Sequence, residues 1–154
     1  ERVKGVPRCS PVRVTSDYTW RSTHCGGDHY VMIGDAFGFI DPIYSTGVHL
    51  ALKSGDLVAE TIASAFKTGD FSGARLGAWG ETLVAGMESL RKLVYAFYTP
   101  GFSFASFVSQ HPEHRPKLIR LLMGDVFKDP VTGLFESMKE MCDLPEPLPL
   151  EKAG

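Results

Sequence analysis

Long apolar runs, paired cysteines and an excess of one charge are all missing from this sequence of 154 residues. Without a stretch of about 18 apolar residues, no membrane-spanning helix is expected, and the N-terminal residues have no apolar core of a signal peptide. Cys9, Cys25 and Cys142 are far apart and form no CxxC pair, which argues against a disulfide framework and indicates a reducing, cytoplasmic compartment. The net charge of -2 indicates neither a nucleic-acid partner nor an anionic membrane surface.

The composition that remains is that of a globular domain, with 44% hydrophobic and 22% charged residues. The sequence has no initiator Met and opens in what reads as the middle of a strand-rich region. We therefore expect a fragment of a longer polypeptide whose N-terminal part is missing here.

Apolar spacing predicts a small β-containing part followed by helices. Loose alternation over residues 12–20 predicts a half-buried strand of a hairpin, and the apolar run 30–33 predicts a buried strand. Helical spacing predicts helices over residues 47–66 and 74–98. Three shorter features are also expected: a helix opening near Pro116, a helix over residues 134–141 and a proline-rich tail, PEPLPLEKAG, that is extended or disordered.

The segment YVMIGDAFGFIDPIYSTGVHLAL, residues 30–52, carries the chemistry. Gly34 lacks a Cβ, so a flat ligand can approach its backbone closely. Asp35 follows the predicted strand, at the kind of strand end where ligands bind in open α/β sheets, and can accept hydrogen bonds from a polyol. The helix that starts at Gly47 offers unpaired amides and a partial positive charge to an anion. These three features together fit a flavin site.

The string GDAFGFIDPIYSTGVHLALKSGDLVAETI resembles the second FAD-binding motif of flavin-dependent halogenases and their relatives, the class A flavin monooxygenases and geranylgeranyl-reductase-like enzymes. The resemblance implies an α+β fragment of an α/β, Rossmann-like (GR2-type) FAD-binding fold, with short β strands followed by a long helix and a C-terminal helical part. It divides the chain into the C-terminal portion of an FAD-binding domain (1–67), a helical region (68–145) and a flexible tail (146–154).

The same resemblance assigns roles to individual residues, although no catalytic residue can be named and no metal is expected. Asp35 would hydrogen-bond the ribityl chain of FAD, and the backbone around Gly47 and Val48 would face the pyrimidine edge. Thr46 and Gly47 would also offer amides to a halide, although Ser45 and Thr46 could equally be an ordinary helix cap. The full set of expected cofactor contacts is Gly34, Asp35, Pro42, Ser45, Thr46, Gly47 and Val48.

Several departures from the family pattern bear on the function. The GxGxxG nucleotide motif and the halogenase WxWxIP signature are absent, and Lys53 is not given the role of the family's catalytic lysine. Tyr44 stands where tryptophan halogenases carry a Glu, which argues against tryptophan as the substrate. Gly38 stands near the position where monooxygenases have a His, which favours a halogenase.

The function implied is an FAD-dependent oxidoreductase, most similar to a halogenase, that uses reduced FAD, O2 and chloride to halogenate an electron-rich substrate. The implied partners are the missing N-terminal part of the polypeptide, a separate flavin reductase, and a small aromatic or carrier-protein-bound substrate. Two alternatives stay open: a monooxygenase or reductase without halide use, and a non-catalytic module that docks a partner through the 74–98 helix. The fragment alone is expected to be inactive.

Other conspicuous residues favour structural roles. Asp41 could approach the flavin ring or serve the turn before Pro42, and His49 is expected to pack or to cap the helix and not to act as an acid or base. A loop is expected in place of a metal site at His24, Cys25 and His29, and the segment with His111 and His114 is expected to be exposed to solvent. Aromatic and long apolar side chains elsewhere are expected to belong to the core and not to a substrate pocket: Phe102, Phe104, Phe107, Trp79 and Met87.

Overall fold

The computed structural model describes residues 4–16, 19–128, 131 and 133–151. Within these residues there are four two-residue strands, six α-helices and three short 3-10 turns. The strands are β1 (Trp20–Arg21), β2 (Gly26–Gly27), β3 (Tyr30–Val31) and β4 (Gly38–Phe39). The helices are α1 (Gly47–Thr68), α2 (Gly73–Leu76), α3 (Gly80–Tyr98), α4 (Phe104–Gln110), α5 (Arg115–Leu122) and α6 (Leu134–Lys139). The predicted order of short strands, a long helix and a helical C-terminal part is confirmed.

The strands form two separate antiparallel pairs, β1 with β4 and β2 with β3. Gly38 allows the β1–β4 pairing, because a Cβ on it would lie 2.9 Å from the carbonyl oxygen of Trp20. The prediction of a strand over residues 12–20 is wrong for residues 12–16, which are exposed and irregular. Of the predicted range, Trp20 is in a strand. Asp17 and Tyr18 lie outside the described residues. A strand needs a hydrogen-bonded neighbour, and residues 12–16 have none among the described residues.

The predicted buried strand over residues 30–33 is shorter and more exposed than expected. Only Tyr30–Val31 is extended in a ladder, and the side chains of Tyr30 and Ile33 are 52% and 44% exposed. Val31 and Met32 pack against the core, so only the two ends of the apolar run are left exposed in the described part of this chain.

Helix α1 matches the prediction closely and ends at Gly69, whose φ of 69° is the left-handed conformation typical of a helix C-cap. One face buries Leu50, Ser54, Val58 and Ala65. The opposite face is an exposed apolar stripe that runs the full length of the helix, about 33 Å at 1.5 Å per residue. We call it the α1 stripe; it consists of Val48, Leu52, Gly55, Ala59, Ala63 and Phe66, and its three large side chains are 72–74% exposed.

The single helix predicted over residues 74–98 is wrong, since the structure has α2 and α3 with a turn between them. The thiol of Cys25 donates to the carbonyl of Gly77 at 3.2 Å, and a Cβ on Gly80 would lie 2.4 Å from the Cys25 sulfur. This close insertion breaks the helix between the two glycines. The stripe on α3 is nevertheless core as predicted, with Met87 3% and Trp79 5% exposed.

The C-terminal helices enclose the predicted aromatic core. Phe107 is fully buried, and Phe102 and Phe104 pack against the same cluster, while Pro116 lies in the first turn of α5; both predictions are confirmed. The prediction of an exposed HPEH segment is wrong for His114, which is 7% exposed and stacks on Phe107 with ring centroids 6.0 Å apart. Its Nε2 lies 3.0 Å from the hydroxyl of Ser137.

The described part of the predicted tail, residues 145–151, contains no helix or strand and is hydrogen-bonded to the rest of the chain. The amide of Glu151 donates to the Thr23 carbonyl at 2.7 Å, and the Arg21 guanidinium donates to the carbonyls of Leu148 and Pro149 at 2.7 and 2.9 Å. Within the described ranges, no helix has both the length and the apolar character needed to cross a bilayer.

Candidate functional site

A tight turn at Gly34 fixes the strand-to-helix junction. Gly34 has φ of +54°, a conformation that glycine adopts without strain. Its amide donates to the hydroxyl of Ser54 at 3.0 Å, and that hydroxyl donates to the carbonyl of Ala51 at 2.7 Å. A Cβ on Gly34 would lie 3.4 Å from the Cβ of Ala51. The turn is therefore held directly against the first turns of α1.

Asp35 occupies the 3-10 turn Gly34–Ala36, which the amide of Phe37 closes by donating to the Gly34 carbonyl at 3.0 Å. Phe37 is fully buried and packs edge-on against Trp79 with centroids 5.7 Å apart. The side chain of Asp35 is exposed. The carboxylate thus lies on the surface of a turn that is anchored in the core two residues later, by Phe37.

The start of α1 is preceded by a second 3-10 turn, Pro42–Tyr44, and by Ser45 in the left-handed region with φ of 53°. Thr46 is the residue before the helix, and its side chain makes no capping hydrogen bond. Its carbonyl accepts the first helical bond, from Leu50 at 2.9 Å. The ordinary side-chain cap considered for Thr46 is therefore not formed, so the Thr46 hydroxyl does not occupy the first amides of α1.

Asp35 and Gly47 line the same shallow depression, together with Phe39 and Ile40. Its enclosed volume is about 10 Å³, which is roughly the space of one water molecule. We call the edge of this depression at Asp35 and Gly47 the rim. A flavin ring would consequently lie across the rim and not inside the depression. A Cβ placed on Gly47 would be in van der Waals contact with Phe39 Cε2, at 3.7 Å, so the Phe39 ring flanks the Gly47 backbone on this side.

Tyr44, the residue that stands in place of the tryptophan-halogenase Glu, points inward. Its hydroxyl donates to the carbonyl of Leu93 at 3.3 Å, and its ring packs edge-on against Phe97. Burial, with a smaller contribution from Tyr98, raises the pKa of Tyr44 to about 12. Tyr44 is therefore neutral at physiological pH and places no negative charge beside the loop.

A larger cleft adjoins this rim and was not predicted from the sequence. It encloses about 830 Å³ between β1, β4 and α3, and it shares Phe39, Ile40 and Met87 with the wall of the smaller depression. Its walls come from residues 19–21, 39–41, 87–100, 143 and 148, which are too far apart in sequence for any motif to reveal. The one available signal was Asp41, whose position before Pro42 suggested either the flavin ring or the turn.

Asp41 performs the turn role, because its Oδ1 accepts the amide of Ile43 at 3.0 Å. The same carboxylate lines the large cleft, where the hydroxyl of Tyr98 donates to Oδ1 at 3.3 Å. His49 lies beside Phe127, with ring centroids 5.7 Å apart, in the packing role expected.

The residues His24, Cys25 and His29 have separate partners. His24 pairs with Glu151 at 3.2 Å, Cys25 is buried against Gly77, and His29 stacks on Phe71 at 6.0 Å. Across the described ranges, no three potential metal ligands converge.

Comparison with known proteins gives this arrangement a family. Residues 8–101 match the family model described as tryptophan halogenase. The chain is 30% identical over 141 residues to the 1H-pyrrole-2-carbonyl-(peptidyl-carrier protein) chlorinase of Pseudomonas fluorescens, a match that covers 92% of this chain and 31% of that protein. It is also 30% identical over 126 residues to the corresponding brominase of Pseudoalteromonas luteoviolacea, covering 82% of this chain and 30% of that one.

The solved structure of the flavin-dependent brominase Bmp2 superposes with a TM-score of 0.66 and 30% identity, over 79% of this chain and 31% of the brominase. The chain thus has the fold of a piece of an FAD-dependent oxidoreductase. It belongs to the tryptophan halogenase family of flavin-dependent halogenases.

These findings confirm the family and the fold class that the sequence predicted, and FAD is the cofactor of that family. The chain spans about a third of the length of the curated relatives it matches. The contacts assigned to individual residues of the rim, and the division into three segments, stay predictions.

Proposed function

We propose that this chain supplies the ring-side portion of a flavin-dependent halogenase site. The observation that carries the proposal is the start of α1: it has no side-chain cap at Thr46, and its first residue, Gly47, lines the same depression as Asp35. Amides at a helix N-terminus stabilise a nearby negative charge by about 0.3–1 kcal/mol when exposed, and by more when partly buried. Reduced FAD, when bound, would supply two of the four electrons that reduce O2 to water, and the halide would supply the other two and thereby be oxidised.

The residues of this rim have distinct tasks in that site. Asp35 accepts hydrogen bonds from ribityl hydroxyls, and the turn at Gly34 fixes its position relative to α1. The amides of Gly47 and Val48 donate to the pyrimidine edge of the ring. Thr46 and Gly47 hold the halide at the same helix end. Pro42 and Ser45 set the backbone path into the helix, through the 3-10 turn and the left-handed residue.

The remaining contacts to FAD come, in this proposal, from a further part of the same polypeptide that packs on the α1 stripe. A surface with three large apolar side chains more than 70% exposed is typical of an interface. A separate flavin reductase delivers the reduced cofactor, and the protein works in the cytoplasm. The substrate is a small aromatic group presented on a carrier protein. The printed names of two relatives support this, and so does Tyr44 in place of the tryptophan-associated Glu.

The test is FAD titration of the purified native gene product, followed by fluorescence, with two variants. Asp35→Ala removes the rim carboxylate, and we expect about a 10-fold weaker affinity, since hydrogen bonds to charged groups contribute about 1.5–3 kcal/mol and this one is exposed. Glu60→Ala removes an exposed acid further along α1 and serves as the control of equal charge. Undiminished affinity in Asp35→Ala would contradict the site.

Halide dependence separates the proposed reaction from its alternatives. With a flavin reductase and pyrrole-2-carbonyl carrier protein, we expect a product heavier by one or more chlorine atoms, detected by mass spectrometry. Hydroxylated product formed equally well without chloride would identify a monooxygenase. No flavin binding at all, in a stable protein, would favour the non-catalytic module.

A further inference from the structure

We propose that the 830 Å³ cleft beside the flavin rim is a binding site for a neutral aromatic ring that carries an O–H or N–H donor, with Asp41 as the residue that recognises the donor. This inference rests on the proposed function, because the bound ring would be the part of the substrate that the enzyme halogenates. It concerns the chain's own residues and can be tested without FAD.

Size and position favour a small molecule. Sites for small ligands are usually clefts of about 300–1,000 Å³, and the measured volume lies within that range. The cleft and the smaller depression share Phe39, Ile40 and Met87 in their walls. A ring held in the cleft would therefore lie one side-chain layer from the start of α1.

The walls select an aromatic ring. Trp20, Tyr95 and Tyr98 line the cleft with side chains that are 47–58% exposed. Aromatic pairs prefer edge-to-face or offset stacking and gain about 0.5–1.5 kcal/mol beyond the area they bury. Three half-exposed aromatic side chains around one opening thus provide stacking surfaces that a flexible aliphatic ligand would not use.

Charge in the cleft argues against an anionic ligand. Both guanidinium groups in the walls already have partners: Arg21 donates to the Leu148 and Pro149 carbonyls, and Arg91 donates to Glu88 at 2.7 Å and to the Glu146 carbonyl. Three carboxylates line the same space, those of Asp41, Glu88 and Asp143. A carboxylate or phosphate ligand would meet repulsion there, whereas a neutral donor meets an acceptor.

Asp41 is the carboxylate best placed for recognition. Glu88 is buried in its ion pair with Arg91, and Asp143 lies near the tail, away from the strand that adjoins the rim. Asp41 lies two residues after Phe39, the last residue of β4. Its Oδ1 accepts from Ile43 at 3.0 Å, and within the described part of the chain its Oδ2 accepts a longer hydrogen bond from the Tyr98 hydroxyl at 3.5 Å. A ligand donor can therefore bind Oδ2 without disturbing the turn.

The experiment measures binding of three probes to the native gene product without FAD, by ligand-observed NMR at pH 7. Phenol carries a donor, anisole has the same ring without one, and benzoate is an anion. We expect phenol to bind with a Kd near 1 mM, anisole about 10-fold more weakly, and benzoate not at all. The variant Asp41→Asn should lower the phenol affinity about 10-fold and leave that of anisole unchanged. Asn also caps turns well, so the fold is retained.

Two further variants locate the effect. Val94→Phe, in the cleft wall, should abolish phenol binding, and Asp56→Asn, an exposed carboxylate on α1, should not change it. The proposal is overturned if FAD binds but phenol does not, as expected if another segment fills the cleft. It is equally overturned if phenol and anisole bind alike, or if Asp56→Asn weakens phenol as much as Asp41→Asn does. Phenol binding with the Asp41 effect, in a protein that binds no FAD, would support the cleft and refute the proposed flavin site.

Discussion

Replacing Gly34 by alanine tests whether the strand-to-helix turn builds the flavin rim. Gly34 has φ of +54°, where an L-residue with a Cβ costs about 1–2 kcal/mol. Alanine also restricts the unfolded chain, which offsets about 0.4–1 kcal/mol of that cost. The expected net loss of unfolding free energy is about 1 kcal/mol. With a urea m-value of about 2 kcal/mol/M, the midpoint falls by about 0.5 M.

Gly69 provides a matched control, because it has φ of +69° and no atom lies within 4 Å of the Cβ that alanine would add. Gly69→Ala should therefore lose a similar amount of stability. The two variants should differ in FAD affinity, since only Gly34 precedes Asp35 and only its amide bonds Ser54 on α1. We expect Gly34→Ala to bind FAD about 10-fold more weakly and Gly69→Ala to bind it normally.

The paired comparison has a clear refutation. If Gly34→Ala is as stable as the parent protein, the left-handed turn is not required. If both variants lose FAD affinity together, the loss reflects global destabilisation and the rim has no special role. Fluorescence titration of FAD and urea denaturation on the same preparations distinguish these results.

Three further predictions follow from burial and charge. Glu88→Ala should cost about 2–3 kcal/mol by urea denaturation, because it leaves a buried guanidinium unpaired at the edge of a cleft; the exposed i,i+3 counterpart Asp56→Ala should cost under about 0.5 kcal/mol. Tyr44 keeps its proton in the folded state up to about pH 12, so the stability it contributes is complete below about pH 10 and falls as the pH rises towards 12; Tyr44→Phe should remove that part of the pH dependence. Cys9 is exposed, whereas burial raises the pKa of the Cys25 thiol, so iodoacetamide at pH 8 should modify Cys9 quickly and Cys25 only after unfolding, as peptide mass spectrometry can show.

The helices were predictable because their signals are local. The 3.6-residue spacing from Val48 to Phe66 and the glycine that follows at 69 are sufficient to define α1 to within two residues at its end. The same reasoning failed between Gly73 and Gly80, where the break depends on the sulfur of Cys25, a residue more than 50 positions away. Spacing cannot register such a contact, so it predicted one continuous helix.

The candidate site likewise has one part that could be predicted from the sequence and one part that could not. Gly34, Asp35 and Gly47 belong to one continuous motif, and the sequence placed them on a single rim. The large cleft joins β1, β4, α3 and the tail, and no local pattern relates residues 20, 41, 98 and 148. The strands at residues 12–16 and 30–33 were overestimated because alternation predicts a strand without asking whether a neighbour is present to pair with it.

Val48 belongs both to the start of α1 and to the α1 stripe. Its amide belongs to the start of α1, while its side chain, 74% exposed, is the first member of the α1 stripe. A segment that buries the whole α1 stripe would therefore contact the residue whose amide is a proposed flavin contact. Covering Val48 and Leu52 would exclude water from the helix end and strengthen its interaction with a negative charge, because charge–dipole energies rise as the local dielectric falls. We therefore expect closure of the apolar face to assist binding of the cofactor, so a polar substitution such as Leu52→Glu, about one helical turn from Val48, should weaken flavin binding as well as assembly.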